Sequence, residues 1–284
     1  MDSLSDEKLR FIISFSLYVL LIGNFGCKST SSQLPPDPSV KKEVEVGRIL
    51  AARLVKQYGL VKDEEFTLYI LSVGRSLANV SSRQELNFVF GILDTDEVNA
   101  FACPGGYIFL TKGSLKWIEN EAELAFVLSH ELSHVVLKHS GEFESGDSGL
   151  FHTLASLMTP GGNLVSSFTK AAIDTMYQEF FETGREKKLE LEADRAASVY
   201  MSLLGYNTKA SFDYLTRIKR ADKNETLLKT HPVIQERVEN LERFLREQRF
   251  PTGGRFEKES YQNQYRKFLS RSKVSFLQRI RKVS

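Results

Sequence analysis

The feature that most constrains this chain is a helix-forming segment that is apolar on nearly every face and then becomes polar. Between Ala122 and Leu128 only Glu123 is polar, which is typical of a helix buried inside a domain. Asn120, followed three residues later by Glu123, is the pattern of a capping box, so the helix is predicted to begin near Asn120. The helix continues into residues 129–134, which are mostly polar. Because a buried polar group without a partner costs about 1–3 kcal/mol, these residues require partners from elsewhere in the fold.

The polar turn of this helix has the spacing of a metal site. His130 and His134 are separated by about 40° around a helix with ~100° per residue, so both imidazoles can converge on one ion. Glu131 lies close enough to reach a water at that ion without binding the ion itself. A zinc ion lowers the pKa of such a water towards ~7, and Glu131 can take its proton as the water attacks a carbonyl. The motif therefore indicates zinc-dependent hydrolysis.

A catalytic zinc site needs a third protein ligand and one open position. Glu190 and Asp194 lie four residues apart on a predicted helix over Arg185–Leu204, on the same face as the small residues Ala193 and Ala197. Glu190 can bind zinc, while Asp194 can accept the outer N–H of a zinc-binding histidine. An acidic pair at this spacing is also common on exposed helix surfaces, so its meaning depends on the histidine motif.

Two further histidines have different predicted places. His139 falls about 180° from His130 on an ideal helix, so it is predicted to face away and to be a helix-end residue, or one behind the ligands. His231 precedes Pro232, which suits the first turn of a helix that also carries Arg237. His231 is therefore predicted at the start of that helix, either as a capping residue or as part of the site.

The rest of the chain combines a small strand region with many helices. Alternation in Leu86–Ile92 predicts a strand, and two more are predicted on either side of the turn Pro104-Gly105-Gly106. Further helices are predicted from apolar spacing. The remaining elements are strands Asn99–Cys103 and Tyr107–Thr111 and helices Val40–Tyr58, Glu65–Ala78, Leu150–Met158, Leu164–Phe181, Asn207–Ile218 and Pro232–Gln248.

Both ends of the chain differ from the centre. Lys8 and Arg10 precede an apolar run over Phe11–Ile22, which suits a signal peptide, and Cys27 follows Gly26. This resembles a bacterial lipoprotein signal, with lipid added to Cys27; an uncleaved anchor or an ordinary signal peptide are the alternatives. The sequence thus divides into four predicted parts. These are a signal peptide of lipoprotein type at 1–26, a tether at 27–39, the main domain at 40–250 and a basic tail at 251–284.

Charge bears on the possible partners. The net charge of +2 over 284 residues excludes a globally basic nucleic-acid binder, so no nucleic-acid partner is expected. The tail has nine Lys or Arg against two Glu, and Val274, Leu277 and Ile280 give it a short amphipathic stretch. Such a stretch can lie on anionic lipid, while a frayed, solvated terminus is the alternative.

Four segments in this order resemble the HtpX-, BepA- and OMA-type zinc metallopeptidases, a family that also includes the prenyl-protein (CAAX) proteases. The resemblance runs from about Glu43 to Leu245. The chain shows neither the four membrane helices of the HtpX type nor room for the tetratricopeptide repeats of the BepA type, so a short lipoprotein member is expected. The four segments are residues 99–109, Ser129–His134, Glu190–Asp194 and Thr230-His231-Pro232 with Arg237.

The resemblance implies an α+β, mostly helical fold: a zincin-like domain with a small mixed sheet and the His-Glu-x-x-His helix. It implies a gluzincin-like metalloendopeptidase with one Zn²⁺ per chain. The sheet edge after the glycine turn would hold an extended peptide. The implied site has metal ligands His130, His134 and Glu190, catalytic residues Glu131 and His231, supporting residues Asp194 and Arg237, and a substrate edge strand at Gly105, Gly106 and Tyr107.

Two functions follow from these expectations. The first is hydrolysis of unfolded or misassembled cell-envelope proteins, as protein quality control, by an enzyme anchored through Cys27 and facing the bacterial periplasm. The second is a latent zinc-stabilised, binding or chaperone-like envelope lipoprotein, in which His231 caps the metal. Substituting His231 separates the two, because a latch and a catalytic group respond in opposite directions.

Overall fold

Helices pack around one small sheet in the computed structural model. The structure describes residues 37–140, 170–182, 186–220, 231, 234–251 and 253–281. The predicted signal peptide, Cys27 and the helix Leu150–Met158 lie outside these residues. No helix within the described ranges is long and apolar enough to cross a membrane. The helices are α1 Pro38–Tyr58, α2 Glu64–Asn79, α3 Lys112–Leu115, α4 Glu121–Val136, α5 Lys170–Tyr177, α6 Lys187–Leu203, α7 Lys209–Arg220, α8 Ile234–Glu247 and α9 Lys258–Arg281.

The sheet contains three described strands in the order β1-β3-β2: β1 Val89–Leu93, β2 Ala100–Cys103 and β3 Tyr107–Thr111. Strand β1 runs parallel to β3, and β2 runs antiparallel to it. The sheet is therefore mixed, which confirms the predicted α+β, mostly helical fold. Strand β1 begins three residues later than the alternation predicts.

The position of the glycine turn contradicts one prediction. Strand β3, which follows Gly105 and Gly106, is the central strand and pairs on both sides, so Tyr107 does not lie at an edge. The turn is buried under α1: the Gly105 N–H donates to Glu43 Oε1 at 3.0 Å, and a β-carbon added at Gly47 would come within 1.7 Å of the Pro104 carbonyl oxygen. A bound peptide cannot add to this strand, because both of its ladders are occupied.

Helix α4 is the central element and confirms the predicted buried helix. All of its residues except Glu121 are buried, and it packs on α2, α6, α7 and strand β2. Asn120 caps its first turn by accepting the Glu123 N–H at 3.0 Å. The return bond of the capping box goes one residue further back, from the Glu119 N–H to the Glu123 carboxylate at 2.9 Å. Glu123 is held inside the protein by two bonds from Arg217, at 2.6 and 2.8 Å.

The predicted basic tail is not a separate segment. Helix α9 begins at Lys258, and its Tyr261 and Phe268 are fully buried. The Phe268 ring stacks on Phe66 of α2 at 4.8 Å between centroids, and the Tyr261 hydroxyl donates to the Leu115 carbonyl. The boundary predicted at residue 250 is therefore wrong, since the core extends into α9. The predicted amphipathic stretch at 274–282 lies beyond the last side chains that are described.

Candidate active site

Four buried side chains from three parts of the chain converge at one point. His130 and His134 come from α4, Glu190 from α6, and His231 from the segment before α8. Each of these residues contributes one nitrogen or oxygen atom, and the four atoms all lie within 4.8 Å of one another. The structure thus brings together the three predicted metal ligands and the histidine predicted at the start of α8.

The spacing of these atoms matches a tetrahedral metal site. Ligands about 2.0–2.1 Å from zinc in a tetrahedron lie about 3.3 Å from one another. The two Nε2 atoms of His130 and His134 are 3.1 Å apart. Glu190 oxygens lie 3.5 and 3.4 Å from these two nitrogens. His231 Nδ1 lies 3.4 Å from His130 Nε2 and 3.1 Å from Glu190 Oε2. The donor set and its spacing therefore fit a zinc-sized ion.

The electrostatics of the cluster also favour a cation. Among the described residues, three buried carboxylates, on Glu131, Glu190 and Asp194, face one buried guanidinium, on Arg237, so neutral histidines leave two negative charges in excess. Burial and the Arg237 charge lower the pKa of His130, but its hydrogen bonds to Asp194 and Glu190 outweigh them and raise that pKa to about 9. A divalent ion would balance this charge, since uncompensated buried charges are costly.

Asp194 and Arg237 contact the candidate ligands from outside the cluster. Asp194 Oδ1 lies 2.8 Å from His130 Nδ1, which leaves Nε2 of the same ring facing the cluster. Arg237 donates to both Asp194 oxygens, at 2.8 and 2.7 Å, and its third nitrogen lies 3.0 Å from Glu190 Oε2. Burial raises the pKa of Asp194, but the charge and hydrogen bonds of Arg237 outweigh this effect and lower it.

Glu131 lies beside the cluster without joining it. Its Oε1 is 3.5 Å from His231 Nε2. Its Oε2, which is buried, has no hydrogen-bond partner among the described residues. A carboxylate oxygen in this state is suited to accept a proton from a water or a substrate group. Glu131 thus lies beside the cluster and the two histidines lie within it, while their roles as proton acceptor and metal ligands stay predictions.

His139 lies at the end of α4 and behind a candidate ligand, as predicted, but its side chain is turned towards His134 rather than away from the site. The angular argument directs it away from the site, but α4 ends at Val136, and the chain then turns back. His139 Nδ1 lies 2.8 Å from His134 Nδ1. It is therefore a helix-end residue, as predicted, yet it contacts a ligand directly. The sequence has no glycine at this helix end, so no signal marked the turn.

A small apolar cavity adjoins the cluster. It is lined by Asn99 and Ala100 from the β2 end of the sheet, by the catalytic helix and by α7, with a volume of about 30 Å³. Its apolar wall consists of Phe126, Val127, Tyr214, Leu215 and Ile218. The cavity therefore lies between the cluster and the β2 end of the sheet.

Comparisons with known proteins agree with this geometry. The model of peptidase family M48 matches residues 66–245, which run from α2 to α8 and include every cluster residue.

Three relatives are named for proteolysis. The beta-barrel assembly-enhancing protease of Escherichia coli K12 is 25% identical over 213 residues, covering 70% of this chain and 43% of that protein. The mitochondrial metalloendopeptidase OMA1 of Bos taurus is 29% identical over 178 residues, covering 57% and 33%. OMA1 of Schizosaccharomyces pombe is 26% identical over 221 residues, covering 74% and 63%. The chain thus matches about two fifths of the length of the first relative.

Proposed function

The chain belongs to peptidase family M48, and from that premise we propose that it is a zinc-dependent endopeptidase. The observation that carries the proposal is the convergence of His130, His134 and Glu190 at the spacing of zinc ligands, with Glu131 beside the cluster. Zinc is favoured over magnesium or calcium, because three of the four donors are imidazoles and the harder ions prefer oxygen ligands.

Each residue of the site has its own role in the proposed hydrolysis. A bound zinc ion supplies Lewis acidity, which polarises a carbonyl and lowers the pKa of water. Glu131 accepts the proton of the attacking water through its free oxygen and then delivers it to the leaving amine. His130, His134 and Glu190 hold the ion, while Asp194 and Arg237 keep His130 and Glu190 oriented. Away from the cluster, the His231 ring would donate a hydrogen bond to the developing oxyanion.

The proposed substrate is an extended, unfolded polypeptide. Because the Thr111 N–H donates to the Asn99 carbonyl, alternation along the antiparallel ladder turns the N–H and C=O groups of Ala100 and Ala102 towards the other side of β2. No described strand pairs on that side. Ala100 and Asn99 also line the apolar cavity, so β2 replaces β3 as the proposed peptide-binding edge. The Ala100 N–H donates to Asn99 Oδ1 at 2.9 Å, a bond that an added peptide strand would displace.

The proposed setting is quality control in the bacterial cell envelope. The name of the Escherichia coli relative refers to assembly of β-barrels, and the lipoprotein-like signal before Cys27 supports a lipid-anchored protein that faces the periplasm. Misassembled envelope proteins expose extended segments of the kind that the β2 edge would bind. The membrane contact is proposed to be the lipid on Cys27, with a contribution from the basic residues after 273.

The second candidate function, a latent zinc-stabilised protein, is favoured by the position of His231. Its Nδ1 occupies the fourth corner of the cluster, the position that a catalytic site keeps open. Substituting His231→Ala distinguishes the two. A rise in cleavage indicates a latch that must leave before catalysis, while a fall indicates that His231 serves the oxyanion.

The test of the proposed function is cleavage of unfolded casein by the full-length, zinc-loaded chain. Glu131→Gln removes the proposed proton acceptor while keeping the size of the side chain, so it is expected to lower turnover about 10²–10⁴-fold. Glu242→Gln is the matched control, because Glu242 is exposed on α8, and it should cleave like the wild type. Equal cleavage by wild type and Glu131→Gln would contradict the proposal.

A further inference from the structure

The end of the catalytic helix places His139 against His134. Lys138 has a φ of 55°, in the left-handed region. The Lys138 N–H donates to the Val135 carbonyl at 3.1 Å, and the His139 N–H donates to the His134 carbonyl at 2.9 Å. These two bonds form a Schellman cap, a motif in which the side chain after the left-handed residue commonly packs on the one five positions earlier. Here that packing contact is a bond between two imidazoles.

The positions of the nitrogens determine where the protons lie. His134 Nε2 faces the cluster, 3.1 Å from His130 Nε2, and must carry a lone pair to bind a metal. The proton of a neutral His134 is therefore on Nδ1, which lies 2.8 Å from His139 Nδ1. His139 Nδ1 must then accept, so the His139 proton is on Nε2. That atom lies 3.5 Å from Glu192 Oε2, without a hydrogen bond between the two.

We propose that His139 is a positioning residue for the metal site: it accepts the Nδ1–H of His134. His139 does for His134 what Asp194 does for His130. Each of the two histidine ligands of α4 then has its outer nitrogen bonded, one to a carboxylate and the other to a second imidazole. The proposal rests on the part of the proposed function that places a metal at the cluster, and it does not depend on peptidase activity.

His139 is not itself proposed as a ligand. The nitrogen nearest to the site is the one bonded to His134, and His139 is absent from the four residues whose atoms converge. Its side chain is 3% exposed, so it is enclosed by the protein rather than placed to meet a substrate. Positioning through His134 is the role that this geometry allows.

The test uses the fact that asparagine and glutamine reproduce different nitrogens of histidine. The amide oxygen of Asn lies near the position of Nδ1, whereas that of Gln lies near Nε2. We therefore expect His139→Leu and His139→Gln to weaken zinc binding by about 10–100-fold, the range typical of such outer partners, and His139→Asn to keep most of the affinity. The measurement is competition for zinc between the full-length chain and a chelating indicator.

Cobalt substitution gives a readout that loss of general stability would not change. The visible absorption of bound Co²⁺ reports the orientation of the ligands, so it should differ from wild type in His139→Gln and resemble it in His139→Asn. A second pair of variants perturbs the cap without altering His139. Lys138→Gly suits the left-handed backbone and should keep the zinc affinity, while Lys138→Val strains it and should lower the affinity.

The outcomes separate this inference from the proposed function. Equal zinc affinity in wild type and His139→Leu would overturn the inference, and so would equal losses in His139→Asn and His139→Gln. Absence of any zinc binding by the wild type would overturn the inference and the metal site together. Tight zinc binding that depends on His139, in a protein that does not cleave casein, would support the inference while contradicting the peptidase.

Discussion

Arg237 is the buried cation that pairs with the carboxylates of the site. It contacts both Asp194 and Glu190, carboxylates with different tasks, and it is 4% exposed. Burial lowers the pKa of this guanidinium, but the two carboxylates outweigh burial and raise it. Its planar fork suits this position, since it satisfies two separate acceptors from one side chain.

Substituting Arg237→Leu should destabilise the protein strongly. The change leaves two buried carboxylates without their cation, which typically costs about 3–5 kcal/mol. The measurement is urea unfolding with a chelator present, so that metal content does not differ between variants. Arg246→Leu, on the same helix but with a side chain that is 73% exposed, should change the free energy of unfolding by less than about 0.5 kcal/mol. Equal effects of the two substitutions would contradict the role of Arg237.

The place of a single site residue could be predicted from the sequence where the residue lies on a regular helix. The positions of His130, Glu131 and His134 follow from 3.6 residues per turn alone. His139 could not be placed in this way, because extrapolating an angle is valid only until the helix ends, and Lys138 adopts a left-handed conformation that usually belongs to glycine.

Among the elements, the crossing of α4 and α6 determines the distance between the histidines and Glu190. Ala193 and Ala197 are fully buried, and the Ser129 hydroxyl lies 3.4 Å from the Ala197 carbonyl oxygen. Small side chains at the crossing let the two backbones approach, so Glu190 can reach both imidazoles. The small residues of α6 predicted this approach.

Helix α9 is attached to the start of α2 by an ion pair that can be titrated. Asp63 caps α2 through the Phe66 N–H and accepts two bonds from Arg271. Burial raises the pKa of Asp63, but the bonds from Arg271 and Phe66 outweigh it and lower the pKa below the usual 3.8. A lowered pKa gives stability that is present above the usual value and lost as pH falls through the folded one.

Replacing Asp63→Asn isolates this charge, since asparagine also caps helices well. The difference in free energy of unfolding from wild type should be constant between pH 7 and about 5 and should shrink as the pH falls below the usual value. Chemical denaturation at several pH values measures it. A difference that is as large at pH 3 as at pH 7 would show that the charge of Asp63 is not responsible.

Two predictions about whole elements were wrong: the edge position of β3 and the separate basic tail. The order of strands in a sheet depends on contacts far apart in sequence, so β3 could not be recognised as central from the glycine turn before it. Helix α9 did carry a signal. Tyr261, Tyr265 and Phe268 recur at helical spacing, but the surplus of positive charge led to the prediction of a tail.

The buried site, which joins three parts of the chain, carries an excess of negative charge. Among the described residues, Arg237 is the buried cation that balances Glu131, Glu190 and Asp194 when the histidines are neutral, and the cluster links α4, α6 and the segment before α8. Burying this excess of negative charge without a cation is costly. Metal binding and stability are accordingly expected to be coupled.

Removal of metal should lower the stability of the whole protein. Zinc at a thousandfold excess over its dissociation constant stabilises a folded protein by about 4 kcal/mol when the unfolded chain does not bind it. Thermal unfolding with a strong chelator should therefore occur at lower temperature than with zinc, and added zinc should restore it. In Glu190→Gln the difference should be much smaller, since one charged ligand is missing. An unfolding temperature independent of zinc would contradict the coupling.

The most direct test of the central claim is X-ray absorption at the zinc edge of the zinc-loaded, full-length chain, together with its metal content. One zinc per chain is expected, with four nitrogen or oxygen neighbours about 2.0–2.1 Å away and with scattering from imidazole rings. This pattern would assign the ion to the cluster of His130, His134, Glu190 and His231. A zinc content well below one per chain, or a sulfur neighbour at about 2.3 Å, would show that the cluster is not the metal site.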